Sequence, residues 1–461
     1  MRVLSAPSWF ITGVIALSGL AAALNQTLVI PLLPGFPQAL GITGDDAGWL
    51  ITVTLMVGAV SVPIMSRFAD MFGKRRALVA SMAILVIGSV VSALGTDFVV
   101  LLIGRGLSGF GMTLIPIGIS VLRDVLPSNR LGTAVALQSA TLSIGGAIGM
   151  PLAGVLNDSL GWASVFWVTA GVTGILLVAT VVVVPVSPIR AGGRFDYIGA
   201  ICFAIVIAAL LLTISKGRTW GWTSTPILGC IALVIAGLAF WIPLQFRKVD
   251  PLVDLRSTLH KPVMLTNVSG WLVGFGMFVN SLIAMQQLQL PRATGYGMSL
   301  SVSESALWLF PIGIATVFLA PVNGYLLGRF GGKVVLGIGA VISILGFFLR
   351  IISFGTPLEI TIGYSVTTLG VSLAYAAMPM LIMSAVPQTE TASANGFNAL
   401  IRMIGTSTAS ATVAAVLAGS IMVNGVLYPT WSEIAAVNIL ALILMVFVVV
   451  LAFFLPRQNL R

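Results

Sequence analysis

Apolar runs of about eighteen residues or more recur from one end of this 461-residue chain to the other. A helix of that length spans the roughly 30 Å hydrocarbon core of a bilayer. About fourteen such runs are centred near residues 20, 57, 87, 110, 145, 174, 206, 235, 275, 314, 343, 372, 407 and 444. Only 8% of residues are charged and the mean hydropathy is +1.09, so the chain has too little polar material to cover a water-facing surface. The expected fold is an all-α integral membrane protein with about 14 transmembrane helices. The first run is not followed by a small-residue cleavage site and a soluble domain, so it reads as a retained helix.

The net charge of +10 raises the question of a polyanionic partner, and the placement of the charges answers it. Of 23 Lys and Arg residues, seventeen fall in segments on one side of the spans, from Arg2 through Lys74, Arg75 and Arg76 to Arg457 and Arg461. Four (Lys216, Arg218, Arg292 and Arg350) fall on the other side, and Arg105 and Arg402 fall inside spans. This asymmetry follows the positive-inside rule. It predicts a multi-pass protein of the cell (plasma or inner) membrane with both termini cytoplasmic, and no nucleic-acid partner. Cys202 and Cys230 lie in apolar spans without metal or disulfide spacing, and the single histidine, His260, sits in a basic loop. No cofactor and no metal are expected.

The loop "SRFADMFGKRRALV" (66–79) has a weak counterpart in "GYLLGRFGGKVVLG" (324–337). Aligned from Ser66 and Gly324, the two share Phe72 with Phe330 and Gly73 with Gly331, followed by positive charge. The repeat suggests two parallel six-helix halves, 1–187 and 249–461, with an inserted helix pair at 188–248, a 6+2+6 plan. Parallel halves around a central site are a transporter architecture. "KGRTWGWTS" (216–224) joins the inserted pair on the outside, where Trp220 and Trp222 suit an interfacial aromatic belt.

Three motifs carry chemistry. In "FADMFGKRRAL" (68–78), Gly73 permits a tight turn, and Asp70 precedes Lys74, Arg75 and Arg76. An acid there either locks two helices together through charge-assisted hydrogen bonds or belongs to a solvated loop. In "LLIGRGLSGFGMTLIPIG" (101–118), Arg105 must face the protein interior, a watery cavity or the interface, because an arginine in hydrocarbon costs at least roughly 2.5–3.5 kcal/mol. In "SIGGAIGMPLAG" (143–154), Gly145 and Gly149 let a neighbouring helix approach closely, Pro151 introduces a kink, and Gly154 ends the cluster. Together these read as a bending or gating helix.

These motifs resemble those of the major facilitator superfamily, in particular its fourteen-span drug/proton antiporter branch. "RFADMFGKRRAL" is similar to the family's loop motif, with Ser66 where glycine is usual. "GRGLSGFG" (104–111) is similar to the fourth-helix arginine motif associated with proton transfer. "GGAIGMPLAG" (145–154) resembles the fifth-helix antiporter motif, with Met150 separating its usual Gly-Pro pair. The resemblance implies a monomer in the lipid bilayer that exports hydrophobic or amphiphilic compounds by alternating access, with a proton gradient as energy source. A lipid or metabolite exporter and a non-transporting membrane sensor are the alternatives. No nucleophile–base pair or His/Cys/Asp cluster marks an enzyme.

"LNQTLVIPLLP" (24–34) resembles the branch's first-helix motif, with Asn25 where an aspartate usually stands. An amide cannot gain and lose a proton as a carboxyl does, so Asn25 itself cannot carry the proton. The other acids sit in loops or near span ends. Several readings stand open. The coupling acid is lost or replaced, Glu304 or Asp124 reaches the cavity instead, position 25 carries an Asp→Asn change, or Asn25 only joins helices through hydrogen bonds. Gln26, Met112, Gln138, Asn280, Gln286 and Asn398, polar or flexible residues within spans, are the candidate cavity lining. Embedded arginines admit neutral, amphiphilic or anionic cargo as well as lipophilic cations.

Overall fold

A computed structural model describes residues 7–33, 35–187, 189–352, 355–417, 421–423 and 426–456. Arg2, Arg457 and Arg461 lie outside the described residues, as does residue 188, where the inserted pair was expected to begin. The chain is helical almost throughout, as lipid demands, because an unpaired backbone N–H or C=O has no water to bond there. The long helices are α1 (Ser8–Thr27), α2 (Gly44–Phe72), α3 (Lys74–Leu94), α4 (Phe98–Ser108), α5 (Leu114–Val125), α6 (Ser128–Leu160) and α7 (Ala163–Val183). They continue as α8 (Tyr197–Trp220), α9 (Thr225–Arg247), α10 (Lys261–Gln289), α11 (Val302–Ile352), α12 (Pro357–Ala385), α13 (Thr391–Val416) and α14 (Trp431–Phe454). A 3₁₀ turn, Gly109–Thr113, joins α4 to α5 in one span. A short antiparallel hairpin, Ile421–Val423 with Val426–Tyr428, lies between α13 and α14 and holds the only strands among the described residues.

Among the described residues, twelve helices are long and apolar enough to cross a membrane. They become thirteen if Arg130–Gly146 and Ile148–Leu160, bent by 42°, count as one span. That bend falls four residues before Pro151, where a proline ring collides with the preceding turn. The count is below the expected fourteen because the runs centred near 314 and 343 form the single 51-residue segment α11. Its only non-helical residue is Gly331 (φ 78°, ψ 165°), which stands where Gly73 (φ 113°, ψ 128°) separates α2 from α3. The expected loop 324–337 is therefore a one-residue break, and both members of the repeat turn on a glycine with positive φ. A side chain in this region costs about 1–3 kcal/mol. Gly73→Ala is accordingly expected to lower the melting temperature in detergent, while Gly48→Ala, where a Cβ meets nothing within 4 Å, leaves it unchanged in the same thermal-shift assay.

Acids are spent on helix ends. Asp97 accepts from the Val99 and Val100 amides and Asp254 from those of Arg256 and Ser257. Thr43 with Asp46 and Thr430 with Glu433 form capping boxes. Asp196 caps α8 through the Gly199 amide and also accepts from Gln245 Nε2 and Lys248 Nζ, tying the two ends of the α8–α9 pair together. Burial alone would raise its pKa, but these donors hold it below the usual carboxylate value.

Helices α2 and α13 pack together, as do α6 and α11. Both contacts need a missing side chain. A Cβ at Gly324 would sit 2.4 Å from Thr133 Cα, and one at Gly396 would sit 2.3 Å from Ser66 Oγ. Ser66 thus fits where glycine is usual because its partner on α13 is itself a glycine. Helix α8 packs against both α2 and α13, while α9 touches mainly α8 and is largely exposed on its outer face.

Candidate functional site

Asn25 is buried on α1 and makes full use of its amide. Arg105 Nη1 donates to its backbone carbonyl (3.3 Å) and to Oδ1 (3.2 Å), and Asn25 Nδ2 donates to the Ser108 carbonyl at 3.3 Å. Arg105 Nε reaches the Leu50 carbonyl at 3.4 Å. The guanidinium is 1% exposed, so it faces the interior instead of snorkelling to an interface. Its hydrogen-bond acceptors are all neutral. An amide supplies both an acceptor for Arg105 and a donor for Ser108, and a protonated aspartic acid would present the same pair; an ionised one would lose the donor.

Next to this pair, α6 closes tightly on α1. A Cβ at Gly145 would meet Ala23 Cβ at 2.3 Å and one at Gly149 would meet Thr27 Oγ1 at 2.0 Å. Thr27 Oγ1 donates to the Gly145 carbonyl at 2.9 Å. Gly154 faces open space.

At the end of α2, Asp70 is fully buried and caps a helix from the far end of the chain. It accepts from the Ala392 amide (3.0 Å), the Ser393 amide (2.7 Å) and Ser393 Oγ (2.8 Å), all at the N-terminus of α13. Its partners are thus backbone and hydroxyl donors, not Lys74, Arg75 or Arg76. Lys74 is buried against Asp124 at 2.8 Å, and Asp124 also accepts from Ser187 Oγ. Arg75 donates to the Val181 carbonyl, and Arg76 is exposed. Arg123 completes the seal by donating to Thr391 Oγ1 and to the Met383 and Val386 carbonyls. Gly73 provides the turn between Asp70 and Lys74.

On the other side of this seal lies a cavity of about 450 Å³. Its walls come from α1, α2, α5, α6, α8, α10, α12 and α13, and its lining is largely apolar and rich in methionine. Methionine's flexible thioether adapts to irregular ligands. Gln26 and Met112, two of the expected lining residues, face it. Asn398 stands behind it, accepting from Arg402 Nη1 at 2.7 Å and donating to Asn267 Oδ1 at 3.0 Å. The other three lie elsewhere. Gln138 is buried under Gly19 and Gly118, Asn280 accepts from Arg350, and Gln286 is half-buried on α10 away from the cavity. None of the three lines the cavity, and helical spacing within an all-apolar run does not encode which way an amide points. Glu304 and Asp124 do not reach the cavity either.

Three arginines were misplaced or passed over. Arg350, expected in an outer loop, is 1% exposed. It donates through Nη1 to the Asn280 carbonyl (3.1 Å) and Oδ1 (3.2 Å) and through Nη2 to Gln287 Oε1 (3.0 Å). The pattern copies Arg105 on Asn25 with a different helix supplying the arginine. Arg402 lines the cavity beneath Tyr375, its guanidinium carbon 4.8 Å from the ring centroid. Arg218 lines it as well, because α8 runs on to Trp220 where a loop was expected, and Trp222 lines it from the turn that follows. The signal for Arg402 was the one used for Arg105, a lone cation within an apolar run.

A bundle of membrane-length helices around an apolar cavity, walled by both ends of the chain and sealed on one face, defines a polytopic membrane transporter. The Major Facilitator Superfamily model matches residues 15–410, and the chain belongs to that superfamily. Over 401 residues it is 26% identical to the multidrug resistance protein Stp of Mycobacterium tuberculosis, covering 86% of this chain and 73% of the relative. Over 327 residues it is 27% identical to the tetracenomycin C resistance and export protein of Streptomyces glaucescens, covering 70% and 60%. Two solved structures share the fold. The human organic anion transporter MFSD10 (TETRAN) has a TM-score of 0.69 at 15% identity, covering 97% of this chain and 99% of its own. The proton:xylose symporter XylE has 0.67 at 14%, covering 99% and 98%.

Proposed function

We propose that this transporter exports hydrophobic or amphiphilic compounds from the cytoplasm by alternating access, as a fourteen-span member of the superfamily. Counting α11 as two spans hinged at Gly331, and the bent α6 as one, brings the spans to fourteen. They divide as 6+2+6 with α8 and α9 as the inserted pair. Both termini then lie in the cytoplasm, on the face of Asp70, in keeping with the basic residues gathered there. The observation that carries the reading is the central cavity, mostly apolar and shared between the two sets of six helices, with one end closed by Asp70, Arg123 and their partners. In this state the cytoplasmic side is sealed. Substrate recognition rests on shape, methionine and aromatic contact. Position 25 carries no proton, so any proton coupling runs through another group.

Flux in proteoliposomes tests this. Efflux of at least one amphiphilic dye should exceed that of protein-free liposomes. Arg105→Leu, which removes the Nη1 hydrogen bonds to both Asn25 oxygens in a buried site, should reduce the rate about tenfold or more. Dye movement equal to protein-free liposomes across a chemically varied panel would sink the exporter reading.

A further inference from the structure

Two arginines face the cavity at different depths, and among the described residues no carboxylate lines it. Arg402 lies deep, 9% exposed, between Asn398 and the face of Tyr375. Arg218, on the inserted helix α8, reaches the far end and donates through Nη1 to the Ala414 carbonyl at 2.8 Å. Twelve residues of α13 separate Arg402 from Ala414, about 18 Å along the helix axis. The cavity is therefore an apolar path with a cation near each end. Each guanidinium has further N–H donors in a planar fork suited to a carboxylate, sulfonate or phosphate. Among the described residues, Arg402's hydrogen bond goes to a neutral amide oxygen and its charge faces the Tyr375 ring, so no carboxylate pairs with it. A buried cation in such a setting is costly until an anion arrives.

We propose that the cavity binds amphiphilic organic anions, with Arg402 holding the acid group at depth and Arg218 receiving it near the outer end. The inserted pair is then part of the binding path, since α8 supplies Arg218 and the turn after it supplies Trp222 to its wall. The proposal rests on the exporter reading above and adds the charge of the cargo. It also fits the amide at position 25. An anion leaving a negatively charged interior moves down the membrane potential, so its export needs no proton-carrying residue.

Counterflow in proteoliposomes with two permanently charged aromatic probes decides it. One is the anion 8-anilinonaphthalene-1-sulfonate and the other the cation tetraphenylphosphonium. The anion should exchange at least about tenfold faster. Arg402→Gln and Arg218→Gln should each slow anion exchange about tenfold or more, the loss of one charge-assisted contact. Arg402→Lys and Arg218→Lys should retain part of the rate. Arg218 is exposed on a helix end, so its variants report even if Arg402→Gln fails to fold. Faster exchange of the cation overturns the anion site and leaves the exporter reading standing. If a monodisperse protein exchanges neither probe, the dye panel above decides the exporter reading and binding decides the site. Saturable sulfonate fluorescence that Arg218→Gln weakens supports it, and fluorescence indifferent to both arginines overturns it.

Discussion

Asn25→Asp is expected to make transport respond to a pH gradient that the present sequence ignores. Asn25 already occupies the geometry of a protonated aspartic acid, with its carbonyl oxygen under Arg105 and its N–H on the Ser108 carbonyl. An aspartate there has two states that differ by more than a charge. Protonated, it keeps both contacts and the present packing. Ionised, it pairs with the buried guanidinium and turns an acceptor towards the Ser108 carbonyl, which repels it. Because α6 closes against α1 through Gly145 and Gly149 within a turn of Asn25, a rearrangement at position 25 is felt by the helix bent beside Pro151. A carrier that alternates between these two states couples one proton per cycle. One proton corresponds to about tenfold accumulation per pH unit, since one pK unit is worth about 1.36 kcal/mol. The measurement is dye accumulation in proteoliposomes with and without an imposed gradient, for both proteins. Accumulation by the aspartate form alone identifies position 25 as a coupling site. A pH response already present with Asn25 would show that another group carries the proton.

Much of this arrangement was legible in the sequence, for physical reasons that differ from residue to residue. Membrane helices follow from length and apolarity alone. Gly73 and Gly331 were recognisable as a pair because a break with positive φ admits little but glycine, so both copies of the repeat had to keep it. Gly145 and Gly149 pointed to a close helix contact, and α1 makes it. Arg105 was conspicuous because a cation within hydrocarbon requires an explanation, and the same rule applied evenly would have singled out Arg402.

What stayed hidden depends on which helices meet. Arg350 lies at the end of a span, where solvent and interior are equally near in sequence, and only the packing of α10 against α12 and α11 buries it over Asn280. Arg218 looked like a loop residue because "KGRTWGW" is polar, yet α8 persists to Trp220 and carries it to the cavity. Gln138 and Gln286 illustrate the converse. An amide within a span does not tell which way it points, and among the described residues Gln138 is buried between helices with neither amide atom hydrogen-bonded. Asp70 combined both cases, since its burial could be anticipated but its partner, the first turn of α13, lies 322 residues away.

Asp70→Ala should open the face that Asp70 seals. The carboxylate receives two backbone N–H groups and the Ser393 hydroxyl at the positive end of α13. It joins α2 to the start of α13 along their contact, where Ser66 and Gly396 meet. Hydrogen bonds to a charged group are worth roughly 1.5–3 kcal/mol each when one partner is removed. Water replaces part of that once the face opens, and Arg123 and its carbonyl partners hold the remainder of the seal. A net loss of about 3 kcal/mol from the sealed state would shift the equilibrium between sealed and open forms roughly a hundredfold. Spin labels at Arg76 and Gln388, both exposed beside the seal, report the separation directly once Cys202 and Cys230 are replaced by serine. The distance distribution should move from the sealed to a longer separation in Asp70→Ala. Asp70→Asn, which keeps an acceptor and loses the charge, should fall between. Transport should drop in both variants, because a carrier that favours one orientation returns slowly. An unchanged distribution in Asp70→Ala would mean that Arg123 and the Lys74–Asp124 pair hold this face closed without Asp70.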